Sequence, residues 1–265
     1  MGRIPEYIEQ AQKSGIQHLA VTDHGVMYAA YDFYKQLSKA GLHPIVGMEA
    51  YFAEGKAGPP PPDASDAERK SRRKAYHLLL LAENETGYRN LMKLASNASL
   101  KGYYYRPRID IDMLAQHKEG IIATSACLGG PLANNLLYER PDQARDYAVK
   151  LAEIFGRERF FVEIQDHGLK EQLQVKKDLI SLAKSFDLPM VVTNDVHYCK
   201  QVDSPAQELL VCIQTNTTLS DPKRLKPETD ELYLKSPQEM WDRFGAELPQ
   251  ALTNSMRIAE MCQLD

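Results

Sequence analysis

Cysteine is sparse and scattered: Cys127, Cys199, Cys212 and Cys262 are the four in the chain, and no two of them form a C-x-x-C pair. The pattern supplies neither a disulfide framework nor a zinc ribbon and suits a reducing compartment. A large excess of one charge is also lacking. A formal net charge of -4 gives no global attraction to polyanions, so any nucleic-acid contact needs a local basic patch or a bound metal. No apolar run approaches about 20 residues, the length of a membrane span. The opening MGRIPEYIEQAQKSG lacks the basic-then-apolar order of a secretory signal. A cytoplasmic protein with no membrane partner is expected. Self-similarity of solenoid length is missing as well. What is there is 265 residues, 43% hydrophobic and 26% charged, enough for one large barrel-like domain.

Strand-like apolar runs alternate with helical periodicity. The runs are HLAVTDH (18–24), PIVGMEAYF (44–52), HLLLLA (77–82), GIIATSA (120–126), RFFVEIQ (159–165) and PMVVTND (189–195), separated by amphipathic stretches such as TGYRNLMKLASNASL and PDQARDYAVKLAEIFG. Strands apolar on both faces, alternating with helices, predict an α/β fold built on a largely parallel sheet, open or closed into a barrel. One connection departs from this. EGKAGPPPPDASDAERKSRRK, residues 54–74, is Gly/Pro-rich and then charged, with no apolar face. It predicts an antiparallel hairpin of the flanking strands, with room for a short polar helix over 63–73. The tail predicts helices over SPQEMWDRFG and LPQALTNSMRIAEMC after the linker-like LSDPKRLKPETDELYLKS.

Donor side chains collect at one end of these strands. His24 closes the first run, Glu49 lies near the end of the second and Cys127 follows the fourth. In VVTNDVHY, Asp195 and His197 are two apart on an expected strand and would share a face. His77 opens its strand, but in an antiparallel hairpin that places it where Glu49 finishes. Singly, each of these reads as an ordinary core or surface residue. Together, nitrogen, oxygen and sulfur donors at the carboxyl ends of strands favour a metal site, with Zn, Mn or Fe suited to the mixture. Asp23, Asn194, Glu163 and His167 are expected to stand behind these donors and orient them, although Gly168 after His167 also fits a plain turn.

VTDHGVMYAAYDFYKQLSKAGLHPIVGMEAYF, HLLLLAENETGYRNLMKLAS, SACLGGPLANNLL, FFVEIQDHGL and VVTNDVHY resemble the PHP (polymerase and histidinol phosphatase) domain at the amino end of bacterial DNA polymerase III alpha subunits. The resemblance covers nearly the whole chain. It implies a distorted (β/α)7 TIM-like barrel with C-terminal helices and several metal ions in a cleft at the strand ends. His24, Glu49, His77, Cys127, Asp195 and His197 match six of the family's ligand positions. Family members carry a strand with His-x-His, then an acidic residue, ahead of the position matching Met1. A barrel lacking that first strand is therefore expected, with the helix over Ile4 to Ser14 leading.

Residues 1–215 are expected to form the barrel, and 216–265 a linker and helices leading towards a polymerase region. The chemistry implied is metal-dependent phosphoester hydrolysis, at a phosphoesterase or 3′–5′ exonuclease-like site that is expected to be impaired in this chain for want of the His-x-His and acidic ligands. The implied partners are DNA, the remaining polymerase domains of a parent chain and a proofreading exonuclease subunit. Two other readings stand: a non-catalytic structural and partner-binding domain of the polymerase, and a free-standing small-molecule phosphatase, against which GYRNLMKLAS speaks. Arg106 and Arg108 in KGYYYRPRID, beside three tyrosines, suit contact with a nucleic-acid strand. The same tyrosines suit packing on the barrel rim, and RKSRRK (69–74) reads as a solvated hinge.

Overall fold

The computed structural model describes residues 2–226 and 228–264. Its elements run α1 (Ile4–Ser14), β1 (His18–His24), α2 (Ala30–Lys39), β2 (His43–Ala53), α3 (Asp66–Arg72), β3 (Ala75–Ala82), α4 (Glu85–Leu100), β4 (Arg108–Ile109) and α5 (Ile111–Gln116). There follow β5 (Ile121–Thr124), α6 (Pro131–Leu137), α7 (Pro141–Phe155), β6 (Phe160–Ile164), α8 (Lys170–Ser185), β7 (Met190–Val192), α9 (Ser204–Thr215), α10 (Pro237–Phe244) and α11 (Pro249–Met261). The strands form one curled mixed sheet in the order β1-β2-β3-β5-β6-β7, with β4 added beside β2. β1 and β7 stand at the two ends of this path, and among the described residues no pairing joins them.

The hairpin expected at β2 and β3 is present: β3 runs antiparallel to both β2 and β5, while β1–β2, β5–β6 and β6–β7 are parallel. The connection holds the short polar helix α3, which buries no side chain and starts where Ser65 accepts the Glu68 amide. β4 is too short to stand out by alternation. It exists because Tyr51 and Phe52 of β2 offer it a parallel edge.

Alternation divides the sheet into two faces. Met48, Ala50, Phe52, Leu78, Leu80, Ala123, Phe160 and Val162 point outward into the main core, against Leu91 and Leu94 of α4, Ala144, Ala148 and Leu151 of α7, and Val175 and Leu179 of α8. The other face carries Ile45, Leu81, Ile122, Phe161 and Val191, covered by Ile258, Ala259 and Cys262. α11 therefore plugs one end of the inward face.

Through that plug the helices expected beyond residue 215 pack back onto the sheet. Asn254 donates to the carbonyl of Met190, His43 Nε2 contacts the carbonyl of Cys262 at 2.7 Å, and the Gln263 amide donates to the Glu83 carbonyl. Phe244, Leu248, Ala251 and Leu252 of the tail are buried in the main core. The expected boundary at 215/216 does not separate two cores. Pro227 of the linker, with Met1 and Asp265, lies outside the described residues.

Candidate metal centre

The inward face changes character along the strands. At the α11 end it is apolar; at the other end the same alternating positions become Glu49 and Tyr51 on β2, His77 on β3, Thr124 on β5 and Glu163 on β6. Parallel pairing sets His24 opposite Glu49. Antiparallel pairing sets His77 opposite Tyr51, one diagonal step from Glu49. His77 Nδ1 reaches Glu49 Oε1 at 2.5 Å and His24 Nε2 lies 3.8 Å from Glu49 Oε2. The donor atoms of His24, Glu49 and His77 all fall within 4.8 Å of one another.

The remaining three predicted donors border this group. Cys127 Sγ lies 3.5 Å from His77 Nδ1, the rings of His24 and His197 are 6.1 Å apart, and His197 Nδ1 lies 3.7 Å from Asp195 Oδ1. The six thus form a chain of neighbouring side chains at this end of the sheet. Asp195 and His197 arrive by a different route from the one expected. β7 ends at Val192, and Asp195 has φ 44, a left-handed conformation that a continuing strand cannot contain. The pair is joined by a turn in which His197 Nδ1 approaches the Asp195 carbonyl at 2.7 Å.

Burial and charge act on these groups in opposite senses. Burial pushes the Glu49 carboxyl up, but the His77 hydrogen bond and the charges of His24, His77 and His197 prevail and hold it below its ordinary value. Burial raises Asp195 despite His197 beside it, and raises the Cys127 thiol well above its usual range, with Asp195 and Glu49 adding to the effect. Donors that crowd negative charge out of water in this way favour a cation among them, because ligation requires the deprotonated thiol and carboxylate. The donor set fits a divalent ion on those grounds.

The four residues expected behind the donors play distinct parts. Glu163 is buried and accepts from the hydroxyls of Thr124 and Thr193 and from Gln165 Nε2 at 2.8 Å. It ties the loop that carries Cys127 to the loop that carries Asp195. Burial raises its carboxyl, against those hydrogen bonds. His167 accepts from Gln172 at Nδ1, which leaves Nε2 to donate to the Asn194 carbonyl at 3.0 Å. Asn194 turns its side chain away, donating to the carbonyls of Glu231 and Tyr233. Asp23 alternates with His24 and accepts the Ala29 amide, so it fixes the turn after β1.

Arg108 is not at the surface. It is 1% exposed, with its guanidinium donating to the carbonyls of Arg72 and Gly58. Arg106 is exposed, its guanidinium 4.7 Å from the centre of the Tyr51 ring. Tyr51 itself escaped the sequence reading, although its period-2 spacing from Glu49 was the available signal. Gly129 also matters: a Cβ there would come within 3.2 Å of His77 Nδ1, and its carbonyl accepts the His77 amide. SACLGG thus holds the His77 ring as well as carrying Cys127.

Burial lowers His167 to about 4. Its unfolded value is near 6.5, so the unfolded chain takes up the proton first as pH falls. The stability it contributes is present above about 6.5 and is lost between 6.5 and 4, reaching about 2 kcal/mol by pH 5. His167→Gln should therefore lose less stability than the parent between pH 7 and 5, read from urea midpoints. Parallel pH profiles would show that the ring titrates normally.

A curled mixed sheet packed against helices, with imidazole, carboxylate and thiol donors gathered at its strand ends, defines a mixed α/β domain. The chain belongs to the PHP domain family, whose sequence profile matches residues 1–167. It is 46% identical over 257 residues to the DNA polymerase III subunit alpha of Treponema pallidum (strain Nichols), a match covering 97% of this chain and 21% of the relative. The corresponding subunit of Borreliella burgdorferi is 43% identical, over 98% of this chain and 22% of the relative, and that of Thermus aquaticus 42%, over 93% and 20%. The chain thus spans about a fifth of the length of these relatives. A structure from Bifidobacterium adolescentis, provisionally described as a metal-dependent phosphoesterase, aligns over 92% of this chain and 91% of its own at 13% identity and TM-score 0.44. Among the described residues no helix is long and apolar enough to cross a membrane.

Proposed function

We propose that this chain is the metal-dependent phosphoesterase segment of a cytoplasmic bacterial replicative polymerase alpha subunit, acting on DNA as a 3′–5′ exonuclease. The observation that carries the reading is the joint position of His24, Glu49 and His77, with Cys127, Asp195 and His197 around them, at one end of the sheet. Zn, Mn or Fe would be held by these six side chains. A bound ion of this kind supplies a more acidic water and offsets charge on phosphate oxygens. The chain's own residues do the rest. Glu49 anchors the imidazoles of His24 and His77, and Glu163 braces the loops of Cys127 and Asp195 from behind. The names of the relatives support DNA as substrate and the other polymerase domains as partners.

A second reading, a non-catalytic platform that seats a proofreading exonuclease subunit, is favoured by one observation. Among the described residues only three donors lie within 4.8 Å of one another, enough for one ion, whereas two-ion sites clamp both the attacking and the leaving oxygen. The test is to load the chain with Zn²⁺ or Mn²⁺ and follow release of nucleotides from a 3′-labelled oligonucleotide, with a chelator control. Chelator-sensitive trimming from the 3′ end is expected. Bound metal without any hydrolysis would overturn the phosphoesterase reading in favour of the platform.

A further inference from the structure

Aromatic and cationic side chains outside the donor cluster form two groups, one beside the metal centre and one next to it along the chain, joined through the Tyr104 amide that donates to the Arg106 carbonyl. Tyr51 lies with its ring centre 5.6 Å from that of His77 and 6.4 Å from that of His24. The Arg106 guanidinium covers the Tyr51 ring at 4.7 Å. On the same lip Tyr104 and Tyr105 meet edge to face at 4.8 Å, and the Arg73 guanidinium covers Tyr105 at 4.6 Å. Arg106, Tyr105 and Arg73 are exposed, and among the described residues neither of these two guanidiniums has a carboxylate partner.

This lip is built rather than incidental. Buried Arg108 ties its two segments together, donating to the carbonyls of Arg72 and Gly58 from the neighbouring β4. Tyr105 sits at φ 63, a left-handed conformation costing a non-glycine residue about 1–2 kcal/mol, and the residue is 61% exposed. Tyr105 thus packs on Tyr104 and Arg73 with one side and leaves the rest of its surface to solvent. Residues 56–74 carry six basic and three acidic side chains, and 101–108 three basic and none acidic, so the local field is positive in a chain of net charge -4.

From this geometry we infer that the Tyr51–Arg106–Tyr105–Arg73 lip is a track for single-stranded DNA that leads a strand end to the metal centre. The inference rests on the phosphoesterase reading and names the strand form that site would accept. Bases stack on exposed tyrosines, which read no sequence, and the stacked arginines meet backbone phosphates. A duplex, with its bases already stacked inside, offers the tyrosines nothing.

The test is the affinity of the chain for a fluorescein-labelled oligothymidylate of about ten nucleotides, by fluorescence anisotropy with a chelator present so that nothing is cut. Tyr105→Ala and Arg106→Gln, both at exposed positions, should each weaken binding about tenfold. Arg73→Gln combined with Arg106→Gln should flatten the dependence of log affinity on log salt by about 1.4, two single-strand phosphate contacts. Unchanged affinity in these variants, or a duplex of equal length binding as tightly, would overturn the track. Glu49→Gln separates the two readings, since it should leave oligonucleotide affinity intact while stopping hydrolysis. A chain that binds in this manner but hydrolyses nothing sinks the phosphoesterase reading alone. A chain that cleaves a small phosphodiester yet ignores the lip substitutions sinks the track alone.

Discussion

Glu49→Ala should strip the chain of metal at concentrations where the parent is fully loaded, with an affinity loss of at least about a hundredfold, the upper end for groups one step further from a metal. Glu49 is the carboxylate that both His24 and His77 address, and its side chain is only 9% exposed, so no water-facing rotamer of another residue can replace it. The fold should survive, because Met48 and Ala50 on either side point to the opposite face and keep their packing. Metal content after desalting, read by plasma mass spectrometry beside a thermal melt, checks both halves. Asp195→Ala should lose metal to a smaller extent, since it borders the central group through His197. Equal stoichiometry in Glu49→Ala and the parent would remove the cluster from consideration as a metal site.

A chain stopped at residue 215 should fail to fold. Without α11, Ile45, Leu81, Ile122, Phe161 and Val191 lose the cover of Ile258, Ala259 and Cys262. Five such side chains are each worth about 1.5–3 kcal/mol when fully buried, so even half of that loss is comparable to the whole stability of a typical domain, about 5–15 kcal/mol. Loss of Phe244, Leu248, Ala251 and Leu252 from the main core adds to it. Circular dichroism and size-exclusion chromatography of the shortened chain would show unfolded or aggregated material. A monomeric, cooperatively melting product would place the domain boundary back at 215/216.

The contrast between these two results tracks what could be read without coordinates. Donors at strand ends were legible because β-strand alternation is strictly local: Glu49 and His77 fall on the inward face by counting residues, given the hairpin that the 54–74 stretch implied. Asp195 broke the counting: it takes the left-handed conformation that Asn and Asp tolerate best, a signal the alternation of an expected strand overrode. The tail helices were legible, but where they pack was hidden for a non-local reason. The amphipathic pattern of LPQALTNSMRIAEMC marks a helix with an apolar face, but which surface that face covers depends on an open end of sheet formed by five other segments. Leu232 and Leu234, paired with His197 and Tyr198 across a gap of more than thirty residues, were equally hidden. Arg108 was misread because a buried guanidinium that donates to two backbone carbonyls leaves no trace in composition.

The reversal of β3 has a bearing on how this molecule can vary. In an all-parallel barrel the loops that lead into strands lie at the end remote from the chemistry; here one of them, residues 54–74, opens onto the cleft because His77 begins its strand there. Long surface connections tolerate insertion and deletion far better than the strands they join. Lengthening or trimming this segment would therefore resize the entrance, and exchange the charges around it, while every strand pairing and every donor stayed in place. The Pro-rich half, GPPPP at 58–62, limits how freely such a segment can wander, giving the entrance a semi-rigid wall of adjustable height.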